Sequence, residues 1–332
     1  MNLPRVVQIV LWPFSLVYGI YVRLRRALYA RGWLRSKRLK AAVISVGNVT
    51  VGGTGKTPMV LWLAEKLLAE GKRVAILSRG YRGSHGSSDE IDLLKRRLRG
   101  KVLFGVGPDR FASGSRLESE NAIDVFLLDD GFQHLQLARD LDIVMLDGSR
   151  KLTKECLLPA GSLREPLAAC RRADILMISR KFDRPIIEGS AAHTFSTFYA
   201  ETKLLGFRQF GSGSREKYFS EIGLGPFLAF CGIGNPPAFF DDLSRWHVPV
   251  VEKEAFADHH KYSTQELQQL QSRAQASGAQ GLVTTEKDAE NLPPANLRLP
   301  IWIAVIDFVI AAESELLAAI NRKLAARHGA AA

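Results

Sequence analysis

The sequence predicts an α/β protein whose main domain is built on a parallel β-sheet, followed by a second, smaller α/β domain. After residue 40, short runs rich in Val, Ile and Leu alternate with helical stretches, which is typical of buried parallel strands joined by crossover helices. The alternation resumes near residue 226, after a polar stretch without clear periodicity at 181–196. Together with an apolar segment near the N-terminus, these features predict three regions, which are 1–40, 41–195 and 196–332.

The elements of this alternation can be placed from the apolar runs and the breaker residues. The helix after the first strand is predicted over 58–71, with proline in its first turn and glycine at its end. Two later helices are predicted near 264–276 and 311–326. The predicted strands are 41–46, 73–78, 101–106, 123–128, 141–146, 173–179, 226–231, 281–285 and 300–306.

Charge and cysteine content narrow the cellular setting. The chain of 332 residues has a formal net charge of +11, and residues 1–40 contribute nine basic residues and no acidic one. The three cysteines are widely spaced and form no CxxC pair, so neither a disulfide framework nor a zinc site is expected. A reducing, cytosolic environment fits this composition.

The N-terminal basic residues follow an apolar, aromatic stretch at 6–22, which favours a membrane surface with anionic lipids over a nucleic acid. A cleaved signal is disfavoured because the arginines lie behind the apolar stretch. We expect an interfacial, membrane-associated helix, with a spanning helix and a helix packed on the main domain as alternatives. Its polar or small positions recur at helical spacing and share one face, which comprises Gln8, Ser15, Gly19, Arg23 and Arg26.

A glycine-rich loop between the first predicted strand and the next helix has the order of a phosphate-binding loop. Its glycines let backbone N–H groups approach phosphate oxygens, and the helix N-terminus favours an anion. Lys56 can reach the β- and γ-phosphates of ATP, although the strict G-x-x-x-x-G-K-[ST] motif has glycine where this chain has Thr50. The loop predicts a P-loop NTPase-type domain that binds nucleotide through Thr50, Gly52, Gly53, Thr54, Gly55, Lys56 and Thr57.

Two carboxylates at the end of another predicted strand supply an anchor for magnesium. Asp129 and Asp130 follow an apolar run, and adjacent carboxylates at a strand end are costly without a cation. Together with the hydroxyl of Thr57 they are the predicted ligands of Mg²⁺. Gln133 and His134 follow closely and are expected near the same pocket.

These motifs occur with others in a fixed order, and the sequence resembles the tetraacyldisaccharide 4′-kinase family of lipid A biosynthesis over nearly its whole length. The two most specific blocks are GNVTVGGTGKTP at 47–58 and DDGFQH at 129–134. The further blocks are SRGY at 78–81, LPAGSLRE at 158–165, GIGNPP at 232–237, DH at 258–259 and TEKD at 285–288.

The resemblance implies a kinase that uses ATP and Mg²⁺ to phosphorylate the 4′-hydroxyl of a tetraacylated glucosamine disaccharide 1-phosphate. It also implies a lipid-linked substrate at the cytoplasmic face of the bacterial inner membrane, with the N-terminal helix contributing to membrane association. Neither a nucleic-acid partner nor an obligate protein partner is expected. The residues alone lead to the nucleotide, the metal and the membrane, whereas the sugar comes from the resemblance.

The resemblance further implies a general base, which is an aspartate in an Asp-Glu pair assisted by a histidine in an Asp-His pair. Here these are Asp89 and His259, with Asp109 as the alternative aspartate and His260 as the neighbouring ring. The TEKD block matches the family, but its residues do not define a chemical role. The other predicted catalytic residues are charged side chains of the matching blocks or their neighbours, namely Lys56, Arg110, Arg164 and Glu165.

Two other functions are compatible with parts of the sequence. A membrane-recruited P-loop ATPase switch would use the same loop without a base for an acceptor hydroxyl. A nucleic-acid binder would use the arginine-rich N-terminus, which the near-neutral remainder of the chain disfavours. ATP turnover that depends on an acylated disaccharide distinguishes the kinase from both.

Overall fold

The computed structural model describes residues 4–80, 88–180, 196–211, 225–294 and 298–330. Tyr81 of the SRGY block and almost all of the polar stretch at 181–196 lie outside these ranges. By its contact pattern the chain forms two compact units. The second unit comprises Ser88–Leu93 and Thr202–Val309, and the first unit comprises the rest of the chain.

The first unit contains a parallel sheet. Its strands are β1 Ala42–Asn48, β2 Val74–Ser78, β3 Leu103–Val106, β4 Val125–Asp129, β5 Leu141–Asp147, β6 Ile175–Ser179 and the first part of β7, Ser196–Gln209. They pair in the order β3-β2-β4-β1-β5-β6-β7. Every residue of β1, β2, β4, β5 and β6 is buried, which explains why these strands read as continuous apolar runs.

The helices of the first unit follow from local capping signals. The helix predicted at 58–71 begins slightly earlier, at Lys56, because Gly55 adopts a left-handed conformation that ends the preceding loop. Asp109 caps the fourth helix by accepting a hydrogen bond from the Ala112 N–H at 3.0 Å. The helices are α1 Arg5–Ala30, α2 Lys56–Ala69, α4 Arg110–Glu120 and the C-terminal α8 Glu313–Ala330, with α3 Asp89–Leu98 beginning in the second unit.

In the part of the second unit that the structure describes, there are a sheet and three helices that begin and end within the unit. Its strands are the later part of β7, β8 Phe227–Cys231, β9 Val250–Ala255, β10 Gly281–Thr285 and β11 Ile301–Ile310, in the order β7-β11-β10-β8-β9. The pairs from β11 to β9 are parallel. Its helices are α5 Pro236–Arg245, α6 Thr264–Ala276 and α7 Glu286–Ala289.

The contact pattern divides the chain differently from the domain bounds predicted from the sequence in two places. The segment Ser88–Leu93 belongs to the second unit, although the prediction assigned it to the first. The C-terminal helix belongs to the first unit, because Arg327 on α8 donates to the carbonyl oxygens of Leu39 and Lys40. Strand β9 was not predicted, because glutamate and lysine at 252–254 interrupt the apolar run.

Helix α1 packs its polar face on the first unit and leaves its apolar face exposed. Ser15 donates a hydrogen bond to the Leu157 carbonyl at 2.9 Å and accepts one from the Ala160 N–H at 3.0 Å. Gly19 is buried beside Leu157, where a Cβ atom would lie 2.8 Å from that side chain. The predicted polar face is therefore correct, but it contacts protein. The exposed face comprises Val6, Ile9, Val10, Trp12, Phe14, Val17, Ile20, Tyr21 and Leu24.

Candidate active site

The loop between β1 and α2 requires glycine at two positions. Gly52 has a φ of 107° and Gly55 a φ of 87°, both in the left-handed region that side chains disfavour. Asn48, buried at the end of β1, donates from Nδ2 to Thr54 Oγ1 at 3.0 Å and closes the loop on itself. Lys56 then begins α2, where backbone N–H groups and the helix dipole favour a phosphate group.

Thr50, the residue that departs from the strict motif, lies on extended backbone. It is buried and pairs with Leu163 in an antiparallel bridge. Beside it, the Val51 N–H donates to the Ser162 carbonyl at 2.7 Å. An extended segment needs no glycine and accommodates a β-branched side chain, so threonine fits this position. The assignment of Thr50 as a nucleotide-binding residue stays a prediction.

Asp130 contacts two other predicted site residues, Lys56 and Arg164. It follows β4 with a φ of 51°, an uncommon conformation for a residue with a side chain. Its two oxygens accept hydrogen bonds from Arg164 Nη1 at 2.8 and 2.7 Å, and Lys56 Nζ lies 3.5 Å from Oδ1. Partial burial favours the neutral acid, but the charges of Lys56 and Arg164 outweigh it and lower the pKa of Asp130 to about 2. Two cations therefore share one ionised carboxylate.

Glu165 anchors the neighbouring loop. Gln133 Nε2 donates to the Asn48 carbonyl at 2.9 Å and to Glu165 Oε1 at 3.1 Å. Arg172 donates to both Glu165 oxygens at 2.6 and 2.8 Å, and its guanidinium lies 3.6 Å from the centre of the Phe132 ring. Glu165 is thus occupied by an arginine and a glutamine, and its predicted catalytic role stays a prediction. Sequence analysis missed Arg172 because it belongs to none of the matching blocks.

Arg110 and His134 form a buried pair behind the same loop. Arg110 Nη1 lies 3.0 Å from His134 Nδ1. Burial and the adjacent guanidinium charge lower the pKa of His134 to about 4, so the imidazole is neutral at physiological pH. Nδ1 therefore accepts the hydrogen bond, and the ring proton lies on Nε2. Asp109, the alternative base, is an exposed helix cap.

The second unit brings Asp89 and His259 together from distant parts of the chain. Asp89 is the first residue of α3, and His259 follows β9 with a φ of 62°. His259 Nδ1 lies 2.8 Å from Asp89 Oδ1 and 3.0 Å from Oδ2. Asn291 donates to Asp89 Oδ2 at 3.4 Å. The predicted base and the predicted histidine thus form one hydrogen-bonded pair.

The neighbouring histidine has a different environment. His260 Nε2 lies 3.1 Å from Glu266 Oε1, and its ring stacks on Phe256 with centroids 4.7 Å apart. These contacts hold His260 in the packing of the second unit. The ambiguity between the two rings is therefore resolved in favour of His259 as the partner of Asp89.

The charges around the pair keep Asp89 ionised. Burial alone would raise the pKa of Asp89, but hydrogen bonds with His259 and Glu90 and the charge of Lys287 lower it below its usual range. The hydrogen bond with Asp89 raises the pKa of His259. Burial raises the pKa of Glu90. Sequence analysis missed Lys287, although it lies in the matching TEKD block.

The side chains of Asp89, Glu90 and His259 also have the spacing of a metal site, with one ligand atom from each lying within 4.8 Å of the others. However, Lys287 Nζ lies 3.1 Å from Glu90 Oε1 and 3.6 Å from Asp89 Oδ2. A buried ammonium group at this position neutralises the carboxylates and would repel a divalent ion. We therefore interpret the cluster as a proton-accepting site.

A glycine-rich loop that joins a buried parallel strand to a helix N-terminus, beside a strand that ends in two aspartates, defines a nucleotide-binding α/β protein of the P-loop class. Residues 7–325 match a family model described as Tetraacyldisaccharide-1-P 4′-kinase. The tetraacyldisaccharide 4′-kinase of Geobacter metallireducens is 38% identical over 97% of this chain and 100% of its own length. That of Pelobacter propionicus is 39% identical over 94% and 91% of the respective lengths.

A solved structure agrees with these relatives. The crystal structure of the "apo" form of LpxK from Aquifex aeolicus in complex with ATP superposes with a TM-score of 0.74 and 32% identity, covering 96% of this chain and 99% of that chain. The chain belongs to the tetraacyldisaccharide-1-P 4′-kinase family. The α/β fold class and the resemblance inferred from the motifs are confirmed, and the kinase is favoured over the ATPase switch.

Proposed function

We propose that this protein transfers the γ-phosphoryl group of ATP to the 4′-hydroxyl of a tetraacylated glucosamine disaccharide 1-phosphate, the kinase step of lipid A biosynthesis. Besides family membership, the observation that carries this proposal is the hydrogen-bonded pair of Asp89 and His259. A hydroxyl acceptor must lose its proton during transfer, and such a pair can accept it. P-loop switches commonly position the attacking water with a glutamine, whereas the pair is suited to an alcohol acceptor.

The first unit provides the positive charge for the nucleotide. The loop N–H groups and Lys56 would bind the β- and γ-phosphates, where negative charge develops during transfer. Arg164 contacts the same Asp130 as Lys56, so its guanidinium lies within reach of this region. Asp130 would hold both cations in place until phosphate competes for them.

Magnesium fits a donor set of oxygen atoms in the same unit. Asp129 is a buried carboxylate that ends β4, and it pairs in register with Val46 of β1 just before the loop. The hydroxyl of Thr57 lies in the first turn of α2. Carboxylate and hydroxyl oxygens are ligands that Mg²⁺ prefers, and the bound ion would neutralise phosphate charge. Because Arg164 engages both oxygens of Asp130, we assign the metal to Asp129 and Thr57.

The second unit provides the proton acceptor. Asp89 is almost fully buried and ionised, and His259 is partly exposed beside it. We assign Asp89 as the general base, and the Nδ1–H of His259 orients its carboxylate through a hydrogen bond. The proton leaves the 4′-hydroxyl as its oxygen attacks the γ-phosphorus, and the bond from that phosphorus to the bridging oxygen breaks to release ADP. The Asp89 carboxylate takes up that proton, while it keeps its hydrogen bond with the His259 Nδ1–H.

Helix α1 would place the enzyme on the cytoplasmic surface of the inner membrane. Ser15, Tyr18 and Arg25 all bond to the first unit, so the helix lies along that unit over this length. By length and composition α1 meets the criterion for a membrane span, as core helices and signal sequences also do. Contacts along its middle favour an interfacial position, in which the exposed apolar face enters the lipid and nearby arginines attract anionic headgroups.

The phosphotransfer proposal is tested with labelled ATP, Mg²⁺ and the acylated disaccharide monophosphate. We expect the label to appear at the 4′ position, with ATP turnover that depends on the acceptor. Equal ATP turnover with and without the disaccharide would instead indicate the ATPase switch.

The membrane proposal is tested by flotation with vesicles that contain anionic lipids. The double variant Ile9→Asp, Val17→Asp should lose most of its lipid-bound fraction at an unchanged melting temperature, because the two residues are 73% and 68% exposed. Val251→Asp, which alters an exposed apolar residue outside α1, is the matched control. Undiminished flotation of the double variant would place the anchor elsewhere.

A further inference from the structure

Lys287 is a mostly buried lysine that faces several carboxylates and one imidazole. Its Nζ atom lies 3.0 Å from Asp258 Oδ1, 3.1 Å from Glu90 Oε1 and 3.6 Å from Asp89 Oδ2. It also lies 3.5 Å from Nε2 of His259. Burial alone would lower the pKa of Lys287, but the carboxylates outweigh it and raise the pKa above its usual range. The ammonium group is therefore a permanent charge of this cluster.

The backbone around Lys287 is tied to the backbone that carries His259. Asp288, buried next to Lys287, accepts hydrogen bonds from the Gly232 N–H at 2.7 Å and from the Tyr262 hydroxyl at 2.8 Å. The His259 N–H in turn donates to the Gly232 carbonyl at 3.0 Å. Gly232 therefore links the lysine segment to the histidine segment, which fixes the distance between the ammonium group and the imidazole.

We propose that Lys287 is a positioning residue that holds the Asp89–His259 pair in its proton-accepting state. This inference rests on the proposed role of the pair as the proton acceptor. Nδ1 of His259 faces the Asp89 carboxylate and carries the ring hydrogen. Nε2 lies 3.5 Å from the Lys287 ammonium group, 3.6 Å from Glu90 Oε1 and 3.7 Å from Asp258 Oδ2. The positive charge opposes the two carboxylates and so disfavours a second proton on the ring.

The charges that face the pair come from three elements. Asp89 and Glu90 lie on α3, Asp258 lies next to His259 in the loop after β9, and Lys287 lies on α7. Three carboxylates surround one ammonium group. Without that group the carboxylates would face each other beside the imidazole without a compensating charge from Lys287, and the pair would take up a proton at a higher pH. An opposite charge at this distance changes a pKa by about one to three units.

The experiment compares Lys287→Met with wild type in pH profiles of acceptor-dependent phosphate transfer. We expect the acid limb of kcat/KM to move to higher pH by about one unit, so that the loss of activity is about tenfold greater near pH 6 than near pH 9. Lys287→Arg keeps the charge, so its acid limb should lie close to the pH of the wild-type limb. Lys261→Met, which removes an exposed lysine close in sequence to His259, is the matched control and should keep the wild-type profile.

Two results would overturn the proposal. One is an equal loss of activity by Lys287→Met at every pH, which would indicate a purely structural role, and the other is a wild-type profile. The melting temperatures of Lys287→Met and Lys287→Arg identify any general loss of folding. The activity of Lys287→Arg then shows whether the pair depends on the charge or on the shape of the side chain. Asp89→Asn in the same assay separates this inference from the proposed function. If this variant were as active as wild type, the Asp89–His259 pair would not be the proton acceptor.

Discussion

Lys56 in the first unit and Lys287 in the second are similarly buried, with side chains 16% and 19% exposed, but they lie in opposite electrostatic surroundings. Lys56 shares the single carboxylate of Asp130 with Arg164, so positive charge is in excess there. Lys287 is an ammonium group placed among three carboxylates, so among the described residues negative charge is in excess there.

The difference shows how one chain provides for two charged partners. An excess of positive charge attracts the phosphates of ATP and stabilises the charge that develops on them. An excess of negative charge, held ionised by one fixed cation, attracts a proton. In the proposed mechanism this division accounts for the two cations beside Asp130 and for the lowered pKa of Asp89.

The largest expected effect concerns the cluster around Lys287, Asp89, Glu90, Asp258 and His259, which we call the negative region. Asp89→Ala should lower kcat by about 10²–10⁴-fold, because general-base assistance is lost. His259→Ala should also lower kcat, and the double variant should be scarcely worse than the poorer single variant if the two residues act as one unit. Steady-state kinetics of the three variants measure this. Multiplicative losses would show that the two residues act independently.

Removal of Lys56 tests the group formed by Lys56, Asp130 and Arg164, which we call the positive region. Lys56→Ala should lower kcat by about 10²–10³-fold and weaken ATP binding, because a charge that stabilises the transferred phosphate is lost. Lys72→Ala, an exposed lysine beyond the end of α2, is the control and should retain activity. Wild-type turnover of Lys56→Ala would remove the basis for assigning the loop to nucleotide.

Arg164→Lys distinguishes total charge from the geometry of the guanidinium. Arg164 bonds to both oxygens of Asp130, whereas a lysine cannot reproduce that planar contact. We expect kcat/KM to fall about tenfold, which corresponds to the loss of about 1.4 kcal/mol. Unchanged kinetics would mean that only the number of positive charges near Asp130 matters.

The smallest effect is expected at Asp109. Its carboxylate caps α4 through the Ala112 N–H, so Asp109→Ala should destabilise the fold by about 1 kcal/mol and leave kcat nearly unchanged. Denaturant unfolding and kinetics of the same sample test both parts. A collapse of kcat would make Asp109 the base in place of Asp89.

The residues of the positive region could be selected from the sequence, although their chemical roles stay predictions. Its residues lie in contiguous motifs, and a strand, a glycine-rich loop and a helix impose their geometry locally. The exception is Thr50, whose extended backbone depends on pairing with Leu163 more than a hundred residues later. A local motif cannot specify that pairing.

The negative region could be predicted only in part. Asp89 and His259 were identified by resemblance, but their contact joins residues 170 positions apart, and Lys287 and Asn291 come from yet another segment. Such a cluster depends on how strands and helices pack, which a local pattern does not record. The same limit applies to α1, where the spacing of Ser15 and Gly19 predicted one helix face without indicating that this face contacts protein.

The most direct measurement is the single-turnover rate of phosphate transfer by Asp89→Asn at saturating ATP, together with its affinity for ATP. If the negative region acts only as the proton acceptor and does not bind ATP, the transfer rate falls by at least about 100-fold while the affinity for ATP stays within about twofold of wild type. A transfer rate close to wild type, or a loss of ATP affinity that matches the loss of rate, would contradict the division of roles between the two regions.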